Sequence, residues 1–214
     1  MTGLQKTVVL CLAFVAIVVG LFVYNVTRTP VLSEAALRDK GVYILPRPRE
    51  ITDFDLTTHT GEPFTLEDLK GHWTFAFFGF TNCPDVCPTA MATLGQARRM
   101  LGDGDAFQGV LVTVDPERDD AESLRAYVTT FSPDFIGVRG SHDEIAKFAE
   151  QVNVAFGKVP ERDENGDPIP GQYTVDHTAN IVIINPMGHY HGFIKYPQQA
   201  DTIVAAFRSL SADF

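Results

Sequence analysis

Two cysteines stand four positions apart, Cys83 and Cys87, inside Gly79-Phe80-Thr81-Asn82-Cys83-Pro84-Asp85-Val86-Cys87-Pro88-Thr89. The apolar aromatic run WTFAFFGF over 73–80 ends just before them, and a helical pattern begins at Pro88. Cys83 is therefore expected in a strand-to-helix turn and Cys87 in the first helical turn. Amide hydrogens and positive potential at a helix start favour a thiolate, so both thiols are expected to ionise more readily than free cysteine. Such a pair can close a disulfide or grip a soft metal ion, and a closed disulfide would bar the metal until it is reduced.

A metal site needs a third donor, and the chain has six histidines. His177 lies in Val175-Asp176-His177-Thr178-Ala179, immediately before the apolar run ANIVIIN over 179–185. In an α/β order with the loop before that strand facing the cysteine turn, His177 meets the thiols. Asp176 or a backbone carbonyl would then fix its ring. His59 in a polar turn is expected to be solvated, His72 to sit at a strand edge and His142 to face water. His189 and His191 alternate along a hairpin strand and are expected at the surface. Two thiolates and one imidazole favour Cu(I), and the mixed set can also hold Cu(II). Zinc would require a fourth ligand, which Asp85 or Asp176 could supply.

The elements that must position these residues alternate in type. Buried strands are expected over 73–80, 109–114 (GVLVTV), 135–138 and 179–185, with helical stripes over 88–101, 120–131, 145–152 and 197–210. Ser141-His142-Asp143-Glu144 reads as a capping box. Residues 159–174, rich in Pro, Gly and charge, read as a long loop or an inserted hairpin, and His189–Ile194 as a hairpin partner of 179–185. This order predicts an α/β fold, a central mixed sheet with helices on both faces in a thioredoxin-like arrangement.

Thr7 to Val26 carries no charge and is apolar almost throughout. About 20 residues at a rise of about 1.5 Å match the bilayer core, so an uncleaved single-span anchor is expected. Neither a small-x-small cleavage site nor a small residue before Cys11 argues for a processed leader; Cys11 reads as one small apolar residue among others. The expected organisation is an anchor over 1–27, a proline-bearing tether over 28–50 with a short helical patch, and one domain over 51–214. The 214 residues carry a net charge of −10 with no basic stripe, which excludes nucleic-acid binding through phosphate contacts. Three cysteines are too few for a disulfide-stapled miniprotein.

The chain resembles the Sco/SenC family of thioredoxin-like copper proteins. The resemblance rests on GFTNCPDVCPT (79–89), VTVDPERD (112–119), GVRGS (137–141) and VDHTANIVIINPMG (175–188), and on the layout of one membrane span followed by one domain. It implies one copper per chain, Cu(I) or Cu(II), held by Cys83, Cys87 and His177. It implies delivery of that copper to the CuA site of cytochrome c oxidase subunit II, with other copper chaperones as donors. It also implies a domain outside the plasma membrane. Since the start of the chain has no Arg-rich presequence, the expected setting is a bacterial inner membrane with the domain in the periplasm.

On this reading the protein is a metallochaperone and not an enzyme. The same residues would serve a thiol–disulfide reductase that keeps the CuA cysteines reduced, with Cys83 and Cys87 as its redox pair. The Cys-x3-Cys spacing differs from the Cys-x-x-Cys of common oxidoreductases and argues against that as the sole role. A copper or redox sensor would use the same ligands. Peroxide scavenging would need an Arg partner that the cysteine motif lacks.

Overall fold

The computed structural model describes residues 3–27, 31–102, 106–212 and 214, with the side chains of 4, 6 and 23–27 outside the description. The first unit is one helix, α1 (Gly3–Thr27). Its side chains from Thr7 to Phe22 are all exposed, apolar ones included. The expected span over 7–26 coincides with this helix, its last side chains lying outside the described residues. Among the described residues, no helix is long and apolar enough to cross a membrane.

The second unit begins at Leu32. Its elements are α2 (Glu34–Asp39), β1 (Val42–Glu50), β2 (Leu56–Thr58), β3 (Pro63–Phe64), β4 (Trp73–Gly79), α3 (Val86–Leu101), β5 (Phe107–Thr113) and α4 (Ala121–Phe131). Then follow β6 (Ile136–Arg139), α5 (His142–Gln151), β7 (Phe156–Arg162), β8 (Pro168–His177), β9 (Ile181–Ile184), β10 (His189–Ile194) and α6 (Ala200–Ala212). The main sheet has the order β1-β10-β9-β4-β5-β6-β2-β3, and β7 and β8 form a separate two-stranded sheet. β4, β5 and β6 run parallel, while β9 joins β4 antiparallel. All seven residues of β4 and all four of β9 are buried. Since successive side chains point to opposite faces, both faces of the sheet centre are covered, as the mixed α/β reading requires.

The segment expected as a tether over 28–50 is instead part of the body from Leu32 onward, residues 28–30 lying outside the described residues. Ser33 caps α2 by accepting from the Ala36 amide, and Leu37 and Val42 are buried. β1 pairs with β10 at the sheet edge, with an irregularity between Ile44 and Arg49 that takes up Pro46 and Pro48. Proline signals a linker only when no strand edge is at hand; at an edge its missing donor costs nothing in the ladder. Residues 159–174 take the hairpin alternative, widened to β7 and β8. The capping box is half formed: the Ser141 hydroxyl accepts from the Glu144 amide, but the Glu144 carboxylate accepts from the Asp55 amide at 2.9 Å. Helix stripes fall where the periodicity puts them, with Leu94, Leu124, Val128, Ile145, Phe148, Ile203 and Val204 buried.

Candidate metal centre

β4 delivers the chain to the centre at its C-terminal end. Its continuous apolar run forces it into the sheet interior, and Gly79 and Phe80 lead into the turn that bears Cys83. Gly79 has a specific reason: a Cβ there would lie 2.9 Å from the Cys87 sulfur and 2.8 Å from Phe77 Cε1. The turn is fixed from below by Asp119, which is completely buried. Its carboxylate accepts from the Thr81 amide at 3.1 Å, the Thr81 hydroxyl at 2.5 Å and the Thr113 hydroxyl at 2.6 Å. α3 starts at Val86, with the Cys87 amide directed at the Cys83 sulfur at 3.4 Å. Both cysteines are free thiols, Cys83 half-buried and Cys87 buried.

His177 ends β8, ninety residues further along the chain from Cys87. Thr178 pins the corner, its amide donating to the Ala155 carbonyl at 2.9 Å and its hydroxyl accepting from the Ala155 amide at 3.1 Å. The imidazole stands edge-on to Phe77 and Phe80, with ring centroids 5.7 and 5.9 Å away. Its Nδ1 lies 3.3 Å from the Thr178 carbonyl oxygen and Nε2 lies 3.3 Å from the Cys87 sulfur. A carbonyl accepts only, so Nδ1 carries the proton and Nε2 keeps its lone pair toward the thiols. Of the two ways expected for fixing this ring, the carbonyl is used; Asp176 is exposed.

The donor atoms of Cys83, Cys87 and His177 all lie within 4.8 Å of one another. Among the described residues, this is the one group of three or more His, Cys, Asp or Glu side chains so arranged. Neither Asp85 nor Asp176 joins it, and both are exposed. The donor set is thus soft and three-membered, which fits copper and leaves structural zinc a ligand short. The expectation of easily formed thiolates fails at Cys87. Burial pushes its thiol pKa far up, and the hydrogen bond with Cys83 adds to that. Desolvation of a charge outweighs the potential at the helix start here. Burial also lowers the His177 pKa, so the ring is neutral and ready to coordinate at pH 7.

The other histidines stay away from the centre. His59 is half-buried, not free in solvent: its Nδ1 accepts from the Gly137 amide at 3.0 Å, and burial lowers its pKa. His191 is not a surface residue either, since it is half-buried, edge-on to Trp73 at 4.9 Å. His189 is half-buried beside it on β10. His72 donates to the Asp68 carbonyl at 2.8 Å, and His142 is exposed. Sequence reasoning missed Gly79, Asp119, Thr81 and Thr113. The one signal for Asp119 was its place in VTVDPERD, a segment that carries the resemblance.

A family model described as SCO1/SenC matches residues 45–212. A "Putative copper-binding protein" of Stutzerimonas stutzeri is 36% identical over 172 residues, which covers 78% of this chain and 79% of that protein. The mitochondrial SCO2 homolog of Mus musculus is 36% identical over 165 residues, 76% of this chain but only 62% of the mouse protein's length. Among solved structures, copper-bound ScoI of Bradyrhizobium japonicum is 34% identical with a TM-score of 0.64, covering 73% of this chain and 96% of that one.

Proposed function

The chain belongs to the SCO1/SenC family, and from that premise we propose that it is a copper carrier. It takes up one copper ion between Cys83, Cys87 and His177 and passes it on by ligand exchange. The observation that carries this is the convergence of two sulfurs and one imidazole nitrogen within 4.8 Å, with no carboxylate among them. Copper supplies a soft Lewis acid that these donors suit. The residues present the donors, with the Thr178 carbonyl holding the His177 proton on Nδ1, and Phe77 and Phe80 walling the ring. The half-buried Cys83 is the donor an incoming ligand meets first, while the buried Cys87 is released last.

The receiving partner in this proposal is the CuA site of cytochrome c oxidase subunit II, with other copper chaperones as donors. The protein acts without turning over a substrate. The anchor belongs to the same proposal: α1 exposes Leu10, Phe14, Leu21 and Phe22 to more than three-fifths of their surface, and a lipid surface is the solvent that suits such a helix. The body would then lie in the periplasm of a bacterial cell.

The test is an anaerobic copper titration of the reduced chain. One copper per chain should bind, and His177→Ala should weaken Cu(II) binding by at least about a hundredfold, since only thiolates remain. Unchanged affinity in that variant would remove His177 from the ligand set. The second reading, a thiol–disulfide reductase, is favoured by the unbridged thiols and their unequal exposure. It requires the Cys83 thiolate to attack a subunit II peptide disulfide, forming a mixed disulfide that Cys87 resolves, so that the peptide leaves as a dithiol and Cys83–Cys87 closes as a disulfide; no such exchange would exclude it.

A further inference from the structure

The segment Val112–Asp119 carries more charge than the centre uses. Asp119 supports the cysteine turn, but Asp115 is equally buried and points elsewhere. One of its carboxylate oxygens pairs with Arg118 Nε, and the other accepts from the Tyr173 hydroxyl at 2.9 Å. Arg118 also donates to the Tyr173 carbonyl at 3.1 Å and lays its guanidinium over the Tyr173 ring at 4.1 Å. Lys158 of β7 sits 4.6 Å from the centroid of the same ring and pairs with Glu117 at 2.7 Å. Both strands of the β7–β8 hairpin are therefore tied to the loop 115–118.

The hairpin's other holds on the body lie at its foot, where Phe156 and Val175 pack against the core and Phe156 meets the His142 ring at 5.4 Å. Most of its residues are exposed; Val175 is its one buried side chain, and Thr178 pins its foot. Yet its second strand ends on His177. Tyr173 stands four residues earlier on that strand, about 13 Å along an extended backbone. Arg118 also reaches Phe80 at 5.8 Å, and that ring stands edge-on to His177. The same clamp thus acts on the imidazole through β8 and through its aromatic wall.

We propose that Asp115, Arg118 and Tyr173 form a positioning clamp that holds His177 over the thiols and so selects for Cu(II). The inference rests on the copper reading above. Cu(I) is held well by two thiolates alone, whereas Cu(II) depends on the nitrogen donor. Loosening the hairpin should therefore weaken Cu(II) binding selectively. Tyr173→Phe removes one hydroxyl that donates to a buried charge and keeps the ring that Arg118 and Lys158 both lie over. A net loss typical of such a bond corresponds to about tenfold or more in the ratio of closed to open hairpin.

The experiment compares wild type, Tyr173→Phe, His177→Ala and the double variant in the reduced full-length chain, each titrated with Cu(I) and with Cu(II). The expected result is Cu(II) binding weakened by up to about tenfold in Tyr173→Phe, with Cu(I) affinity unchanged. In the His177→Ala background the same substitution should change Cu(II) affinity by less than twofold, because the clamp then has nothing to position. Equal Cu(II) affinity of Tyr173→Phe and wild type would overturn the proposal. So would equal losses in both backgrounds, or a parallel loss of Cu(I), since these mark a general packing effect. If wild type bound no copper, the copper reading itself would fall. Amide hydrogen exchange over 174–177 would then decide the clamp alone, faster exchange in Tyr173→Phe supporting it and equal exchange refuting it.

Discussion

Replacing Gly79 with alanine adds one methyl group beneath the metal-binding pair. The new Cβ would sit 2.9 Å from the Cys87 sulfur and 2.8 Å from Phe77 Cε1. Ordinary contact begins at 3.4 Å, so the sulfur must retreat by at least about 0.5 Å. It has nowhere free to go, because Cys87 and Phe77 are completely buried and Phe77 itself walls His177. Overpacking of this kind costs about 1–3 kcal/mol. For a domain of this size that lowers the melting temperature by about 2–12 °C. A metal ligand tolerates displacement of only about 0.2 Å, so copper binding must drive the sulfur back against the methyl. If half of the strain returns in the bound state, copper affinity falls about two- to tenfold. The assay pairs thermal melts of the reduced chain with a Cu(I) competition titration against a chromophoric chelator. Gly157→Ala serves as control, since a Cβ there meets nothing within 4 Å. Wild-type melting and wild-type affinity in Gly79→Ala would refute the idea that β4 sets the position of the Cys87 sulfur.

Asp119→Ala should destabilise the body by about 3 kcal/mol or more, because two hydroxyls and an amide lose their acceptor in or beside the core; a urea melt within about 1 kcal/mol of wild type would contradict that support. Copper affinity should rise with pH between about 6.5 and 9, about tenfold per unit for each thiol proton released. The sign follows from Cys87: burial raises its pKa, the free chain keeps that proton, and binding must expel it. A pH-independent affinity would mean that the thiol is already ionised. His177, with its pKa lowered by burial, adds no proton release above pH 6.5. Copper at a hundredfold excess over Kd should add about 2.7 kcal/mol to the folded state, visible as a higher melting temperature that a chelator reverses; an unshifted melt would count against binding to the folded form.

The sequence by itself determined the strand–turn–helix around Cys83 and Cys87, since an apolar aromatic run followed by Pro, Asp and a helical stripe allows little else. It also singled out His177, through its place just before the buried strand over 179–185. The resemblance to Sco/SenC proteins rested on these segments together with 112–119 and 137–141, and the family match over 45–212 bears it out. The tertiary structure decided what depends on distant partners. Pro46 and Pro48 read as linker until β10 offered an edge on which they cost nothing. His59 read as solvated and His191 as a surface residue until Gly137 and Trp73 half-buried them. The Cys87 thiol read as acidic from its helix position, and its burial reversed that. Asp119 carried no assigned role in the sequence, and only the fold laid Thr81 and Thr113 against it. Local pattern records what a residue prefers in water. Desolvation and partners from other strands are settled only when the chain closes on itself, and at this centre they govern both the acidity of the sulfur and the aim of the imidazole.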